Sequence, residues 1–477
     1  MTGASFQFLG FAFAVVLVFN LFRSSLWHHA VLLAASLYFV ALCSSGQSTL
    51  PFAAFVLFGY AGLRILQSGK TGAFVPLLVG TIAMFMWLKK YALVPAAVFL
   101  PFPYFVVGLS YILFRVLHLI IDARDRALPA GIGIVSYLNY TLNFTTLVSG
   151  PIQRYQQFDK TYHAGPRPVL TVIQTGAALE RIVLGFFKVN VLGLLLSMVH
   201  SWGLSGHAAG LPLATSCAMG IAAFAAYPLF LYSNFSGYID IAIAIGWLLG
   251  FNLPENFNRP FSSDNFINFW SRWHITLSEW LKTYVYNTIL IFCMRRYSSQ
   301  GLEPYFAVGA FFITFFLVGV WHGQTANFLF FGVLQGLGVS LNKLYQIAMA
   351  RRLGRQRYKS LGRNGIYIAL SRGLTFTWFA FTLIWFWSDW RQIAELRAAF
   401  GFEVLLLVWC SIFVGSTAVL AFWEAARAAL LGIHWRGVPV LLSRYSRTAW
   451  STVLLLVSLV IATLLNQRAP DIVYKGF

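Results

Sequence analysis

Acidic residues are scarce in this sequence: 14 Asp and Glu stand among 477 residues, against 34 Lys and Arg. Charged residues make up 10% of the chain, where soluble domains carry roughly 25%. So few charges exclude a water-soluble globular protein, and so few acids leave little for the carboxylate relays of ion-coupled transport. Cysteine is equally sparse, with four thiols at Cys43, Cys217, Cys293 and Cys410 and no C-x-x-C pair. That spacing argues against both a zinc site and a disulfide framework, and the apolar surroundings suggest thiols of the core. H-E-x-x-H, a Walker loop, a G-x-S-x-G elbow and a carboxylate cluster are also missing, so no catalytic metal is expected. No polar stretch is long enough to bury a core of its own.

What is present is apolar. Hydrophobic residues make up 59% of the chain, which predicts an all-α, polytopic integral membrane protein forming a single membrane-embedded domain over residues 1–477. About 20 apolar residues cross a bilayer. By that measure spans are expected near 6–22, 30–49, 51–66, 73–88, 92–118, 130–148 and 172–200. Others are expected near 211–233, 238–251, 305–321, 326–346, 366–388, 402–422 and 448–466, giving 11 to 14 helices at membrane depth. The first run lacks a basic leader and reads as a retained span.

The net charge of +20 belongs to this membrane setting, since cytoplasmic loops collect Lys and Arg and meet anionic lipid headgroups. Nucleic acid is not an expected partner. The most basic segment, R-R-L-G-R-Q-R-Y-K-S-L-G-R from Arg351 to Arg363, holds six positive charges and no acid. It is expected on the cytoplasmic side, against lipid headgroups or docking an acidic partner protein. Arg154, Lys160 and Arg167 mark a second interfacial segment.

Chemistry is expected between Leu253 and Gly323. Phe266, Trp270, Trp273, His274, Leu277 and Leu281 recur at helical spacing, predicting one amphipathic helix over Ser263 to Ile291 with His274 on its aromatic face. His322 lies 322 − 274 = 48 residues further on, after an uncharged run from Phe311 to Trp321. Gly319 and Gly323 flank it and admit close approach of backbone or substrate. An ionisable group at such depth is a functional candidate, and a neutral imidazole suits a general base. Asp240, in Y-S-N-F-S-G-Y-I-D, needs a partner: a histidine, an arginine or a helix end. Arg154, in S-G-P-I-Q-R-Y, is available to a carboxylate or phosphate. The pair His28-His29 falls in an early loop. His118, His163, His200, His207 and His434 fall near span ends, where interfacial solvation suffices.

Taken in order, these segments resemble the bacterial membrane-bound O-acyltransferases. G-L-S-Y-I-L-F-R at 108–115, S-G-P-I-Q-R-Y-Q-Q-F at 149–158 and N-F-S-G-Y-I-D at 234–240 carry the likeness. So do L-P-E-N-F-N-R-P-F at 253–261, F-W-S-R-W-H-I-T-L-S at 269–278 and G-V-W-H-G at 319–323. The resemblance implies a ring of helices around a thinned centre and a tunnel, with a family core over about 108–345. It implies His322 as catalytic histidine and His274 as its companion. Trp273, Trp321, Asn258, Asp240, Arg154 and Ser278, which lie in or beside the matching motifs, become candidates for contacting substrate in the tunnel. The donor would be an acyl thioester on carrier-protein phosphopantetheine or CoA, with no bound cofactor. The acceptor would be a hydroxyl on an extracytoplasmic glycopolymer, and the location a bacterial cytoplasmic membrane.

Two departures narrow the resemblance. The G-G-N-R motif usual in alginate and cellulose acetylases is replaced by Y-N-T-I-L-I-F-C-M-R-R-Y, which favours the D-alanyl-transferring subgroup over the O-acetylases. Gln335 stands where relatives often carry a histidine. A transporter or flippase, which would consume no thioester, and a non-catalytic scaffold are the alternatives of other classes.

Overall fold

The computed structural model describes residues 5–44, 48–105, 107–165, 170–205, 211–297, 301–435, 438–440, 443–465 and 470–471. Arg167 and His207 lie outside the described residues. The chain forms two compact units, interleaved in sequence. One comprises Met1–Asn190, Asn234–Glu255 and Gln467–Phe477, the other Val191–Ser233 and Asn256–Asn466.

The architecture is helical, apart from a two-residue hairpin pairing His434–Trp435 with Val438–Pro439. Ten helices among the described residues are long and apolar enough to cross a membrane, and Phe6–Phe19 is a shorter apolar helix. Many of their large apolar side chains, such as Leu26, Val172 and Phe402, are exposed, as lipid-facing positions should be.

Several spans differ from the periodicity-based expectation. The 92–118 run is not one helix. Pro95, Pro101 and Pro103 remove backbone donors, so helix begins only at Leu109. Gly108 before it has φ 74°, and a Cβ there would lie 2.4 Å from the Leu147 carbonyl oxygen. Within 130–148 only Ile134–Thr141 is helical. The 211–233 and 238–251 runs are one 36-residue helix, Leu213–Leu248, which continues through the polar stretch between them. The 402–422 run lies in Trp390–Gly432, two helices merged across a kink at Gly401.

In the first unit the irregular chain after Ile134–Thr141 is held by a buried cation. Arg115, 2% exposed, donates to the carbonyls of Tyr140, Thr141 and Thr146 and to Thr146 Oγ1, at 2.7–3.1 Å. This buried guanidinium is tolerated because the four N–H groups of its two terminal nitrogens find acceptors. Tyr137 adds a 2.7 Å bond to the Val56 carbonyl.

In the second unit Glu303–His322 packs against Ala326–Leu353 through glycines. A Cβ on Gly319 would lie 2.3 Å from the Phe328 carbonyl and 2.4 Å from Gly332 Cα. The room beside His322 is therefore filled by backbone of the next helix. A core of Phe224, Phe376, Ala380, Val408 and Ile412 joins the helices behind it.

Minor expectations are also corrected. His28 lies in helix Ser25–Cys43 and stacks on Phe19. His118 is buried rather than interfacial, accepting from the Tyr155 backbone N–H at Nε2 with Asp122 at Nδ1. Cys410 is exposed and the other three thiols are only partly buried.

Candidate active site

The segment expected as one helix from Ser263 to Ile291 is broken at the histidine. It runs as a turn at Pro260–Ser262, a helix at Phe266–Trp270, a second at Ile275–Leu281, a π-turn at Lys282–Tyr286 and a helix at Asn287–Arg296. His274 sits at the break with φ 46° and ψ 53°, left-handed backbone that a non-glycine residue adopts at a cost of about 1–3 kcal/mol. The residues before it hold it there. Asn258 N–H donates to the Arg272 carbonyl, Ile275 N–H donates to the Asn256 carbonyl, and Phe257 bridges Trp273. Paired across to 256–258, this backbone is diverted from continuous helix.

Asn256, which no motif in the sequence singles out, organises the site. It is wholly buried. Its Oδ1 accepts from Thr276 N–H at 3.1 Å and Thr276 Oγ1 at 2.9 Å, and lies 3.2 Å from His274 Nδ1. An amide oxygen only accepts, so Nδ1 carries the hydrogen and the Nε2 lone pair is the basic one. Two asparagines stand in P-E-N-F-N-R-P, and nothing in their spacing says which is buried. The side chain of Asn258, the one expected to line a tunnel, is exposed.

His274 and His322 both face Trp321. Ring centroids are 6.3 Å apart for His274–Trp321 and 4.6 Å for Trp321–His322. The two histidines are 1% and 2% exposed. His322 ends its helix, with Phe331 and Phe386 edge-on to its ring at 5.9 and 5.1 Å. Such walls keep water from the imidazole. Burial disfavours the His274 imidazolium and takes its pKa down to about 3.

Trp273, 1% exposed, packs on Phe257, Phe269 and Phe379. Ser278 is half-buried, and its hydroxyl donates weakly to the Trp273 carbonyl at 3.4 Å. The structure thus brings His274, His322, Trp321, Trp273 and Ser278 together in the second unit. Arg154 and Asp240 belong to the first. Arg154 stands at the N-cap position of helix Tyr155–Tyr162, with no side-chain bond to the helix end. Asp240 takes the arginine option. Arg181 reaches it at 2.9 Å and Lys188 at 2.7 Å, and Arg181 also grips Glu255 with two 2.6 Å bonds. Gln335 is fully buried and donates to Thr382 Oγ1 at 2.9 Å. Among the described residues, no group of three or more His, Cys, Asp or Glu could hold a metal ion.

The family model described as MBOAT, membrane-bound O-acyltransferase family, matches residues 123–371, more than half the chain. The chain belongs to this family. As a membrane-bound O-acyltransferase family member it is a multi-pass membrane protein, and its relatives include two kinds of acyl-transferring enzyme. A teichoic acid D-alanyltransferase of Bacillus subtilis is 27% identical over 277 residues, 58% of this chain and 67% of the relative. One of Streptococcus thermophilus is 31% identical over 242 residues, covering 50% and 56%. A probable alginate O-acetylase of Pseudomonas putida is 28% identical over 243 residues, covering 50% and 45%. The match thus spans about half to two thirds of the length of these relatives.

Proposed function

We propose that this protein of the bacterial cytoplasmic membrane moves an acyl group from a cytoplasmic thioester to a hydroxyl on an extracytoplasmic cell-envelope polymer. The carrying observation is the pair of buried histidines that both pack on Trp321. The donor is a thioester on carrier-protein phosphopantetheine or CoA, and the acceptor glycopolymer arrives with or without a partner protein.

In the reaction His322 takes the proton of the acceptor hydroxyl as its oxygen attacks the thioester carbonyl carbon. The C–S bond then breaks, and the departing thiolate recovers that proton from the imidazolium. The C-terminal end of a helix, where His322 sits, favours the positive charge that forms. His274, oriented by Asn256, presents its Nε2 lone pair to an N–H of the acyl donor and so positions it. Trp273, Trp321 and Ser278 shape the passage, whereas Asp240 and Arg154 act through the packing of the first unit.

A D-alanyl donor is favoured by the missing G-G-N-R motif and by relatives of that name. An O-acetyltransferase acting on exopolysaccharide or peptidoglycan is the second reading, supported by the alginate O-acetylase relatives. The test incubates purified protein in nanodiscs with acceptor-bearing membranes and either D-alanyl or acetyl carrier thioester, and follows thioester loss. His322→Ala should slow the loss by about 10²–10⁴-fold with Tm preserved. Undiminished turnover in that variant overturns the assignment, and the preferred thioester separates the two donors.

A further inference from the structure

A cavity of about 950 Å³ opens in the second unit, and neither histidine lines it. It is a large volume for a ligand pocket. Its walls come from two membrane-crossing helices, Ala326–Leu353 and Gly365–Thr382, with Phe266 and Phe413 contributed from neighbouring elements. Leu341, Leu370 and Leu374 line it from those helices while remaining 45–54% exposed. The walls are therefore apolar and open on the side that bilayer hydrocarbon covers.

One end is cationic. Arg355, Lys359 and Arg363 line it from helix Arg355–Leu361 and the turn after it. They belong to the basic segment expected at the cytoplasmic surface. Among the described residues none of the three forms an ion pair. The acid in the lining, Asp264, is engaged by its own neighbours, accepting from Asn265 and Asn268 side chains at 3.0 and 2.7 Å. Tyr345 and Tyr367 bring their hydroxyls within 3.3 Å of each other in the same lining. These five side chains supply phosphate donors beside an apolar trough.

We propose that this cavity holds one anionic glycerophospholipid, its phosphodiester against Arg355, Lys359 and Arg363 and its acyl chains along Phe266, Leu370, Leu374 and Trp378. The charge complementarity selects a net-negative headgroup, and the hydrocarbon-side opening selects a lipid of the bilayer over a ligand entering from water. Phe266, one wall of the cavity, stacks on Phe269, which stacks on Trp273 beside His274. A bound lipid thereby braces the short helix that leads into the histidine.

Native mass spectrometry of the delipidated full-length protein tests the proposal, with phosphatidylglycerol or phosphatidylcholine of matched chains added back. One phosphatidylglycerol should be retained in preference to phosphatidylcholine. The variant Arg355→Gln/Lys359→Gln/Arg363→Gln should weaken that retention by about a hundredfold, from the loss of three headgroup contacts. Leu374→Trp, which fills the trough and leaves the cations, should abolish retention with Tm unchanged. Equal retention of the two lipids, or full retention in the triple variant, overturns the proposal. Displacement of phosphatidylglycerol by an equal concentration of CoA also overturns it, by assigning the cavity to a soluble anion.

Discussion

Asn256 is the residue on which the hydrogen bonding of the site turns, because one amide oxygen serves His274 and both donors of Thr276. Asn256→Ala would leave buried donors without an acceptor, a loss of about 1–3 kcal/mol. We expect a lower Tm together with slower thioester turnover. Combined with His274→Gln, the second change should cost far less than it does alone, since both break one network. Additive effects on the rate would separate Asn256 from His274. The burial of His274 also has a pH signature. Its folded pKa is about 3, below the value of about 6.5 for a free imidazole. The unfolded chain thus takes up the proton first as pH falls. Stability tied to the neutral ring is complete above about pH 6.5 and is lost on the way down to the folded value. From about pH 7 to 4.5, Tm should fall more steeply for the native protein than for His274→Gln. Parallel curves would mean that His274 is not the group responsible.

At the scale of elements, the seam between Glu303–His322 and Ala326–Leu353 sets where His322 sits. Gly319 and Gly332 let the backbones touch, and any Cβ at Gly319 collides with backbone, not with a movable side chain. Gly319→Ala should therefore lower Tm and reduce turnover together, by forcing the helices apart one turn from the histidine. Gly309, on the same helix with nothing within 4 Å of a built Cβ, serves as control, and Gly309→Ala should leave both unchanged. Equal behaviour of the two variants would remove the seam from the account. In the first unit, Arg115 does for irregular chain what Asn256 does for the histidine. Arg115→Met should strand the Tyr140, Thr141 and Thr146 carbonyls and reduce the yield of folded protein, measured by monodisperse recovery in detergent.

For the molecule as a whole, charge decides orientation. With six cations and no acid between Arg351 and Arg363, that segment is expected on the cytoplasmic side. With the four native cysteines replaced by serine, Arg357→Cys should react with a membrane-impermeant maleimide in inverted vesicles and not in right-side-out ones. The reverse pattern would invert the topology and the direction of acyl transfer with it.

Composition and hydropathy by themselves determined that this chain is an α-helical membrane protein, because lipid solvation demands apolar surface and internally satisfied backbone. Ordered motifs also located the family and both buried histidines. Tertiary structure decided the break at His274, the choice of Asn256 over Asn258 and the fate of Asp240. Periodicity reports only which face of a local element is apolar. The bond from Asn256 to His274 joins residues 18 apart, and Arg181 meets Asp240 across 59. Such pairings follow from which segments fold alongside one another, and a burial pattern read along one helix contains no term for them.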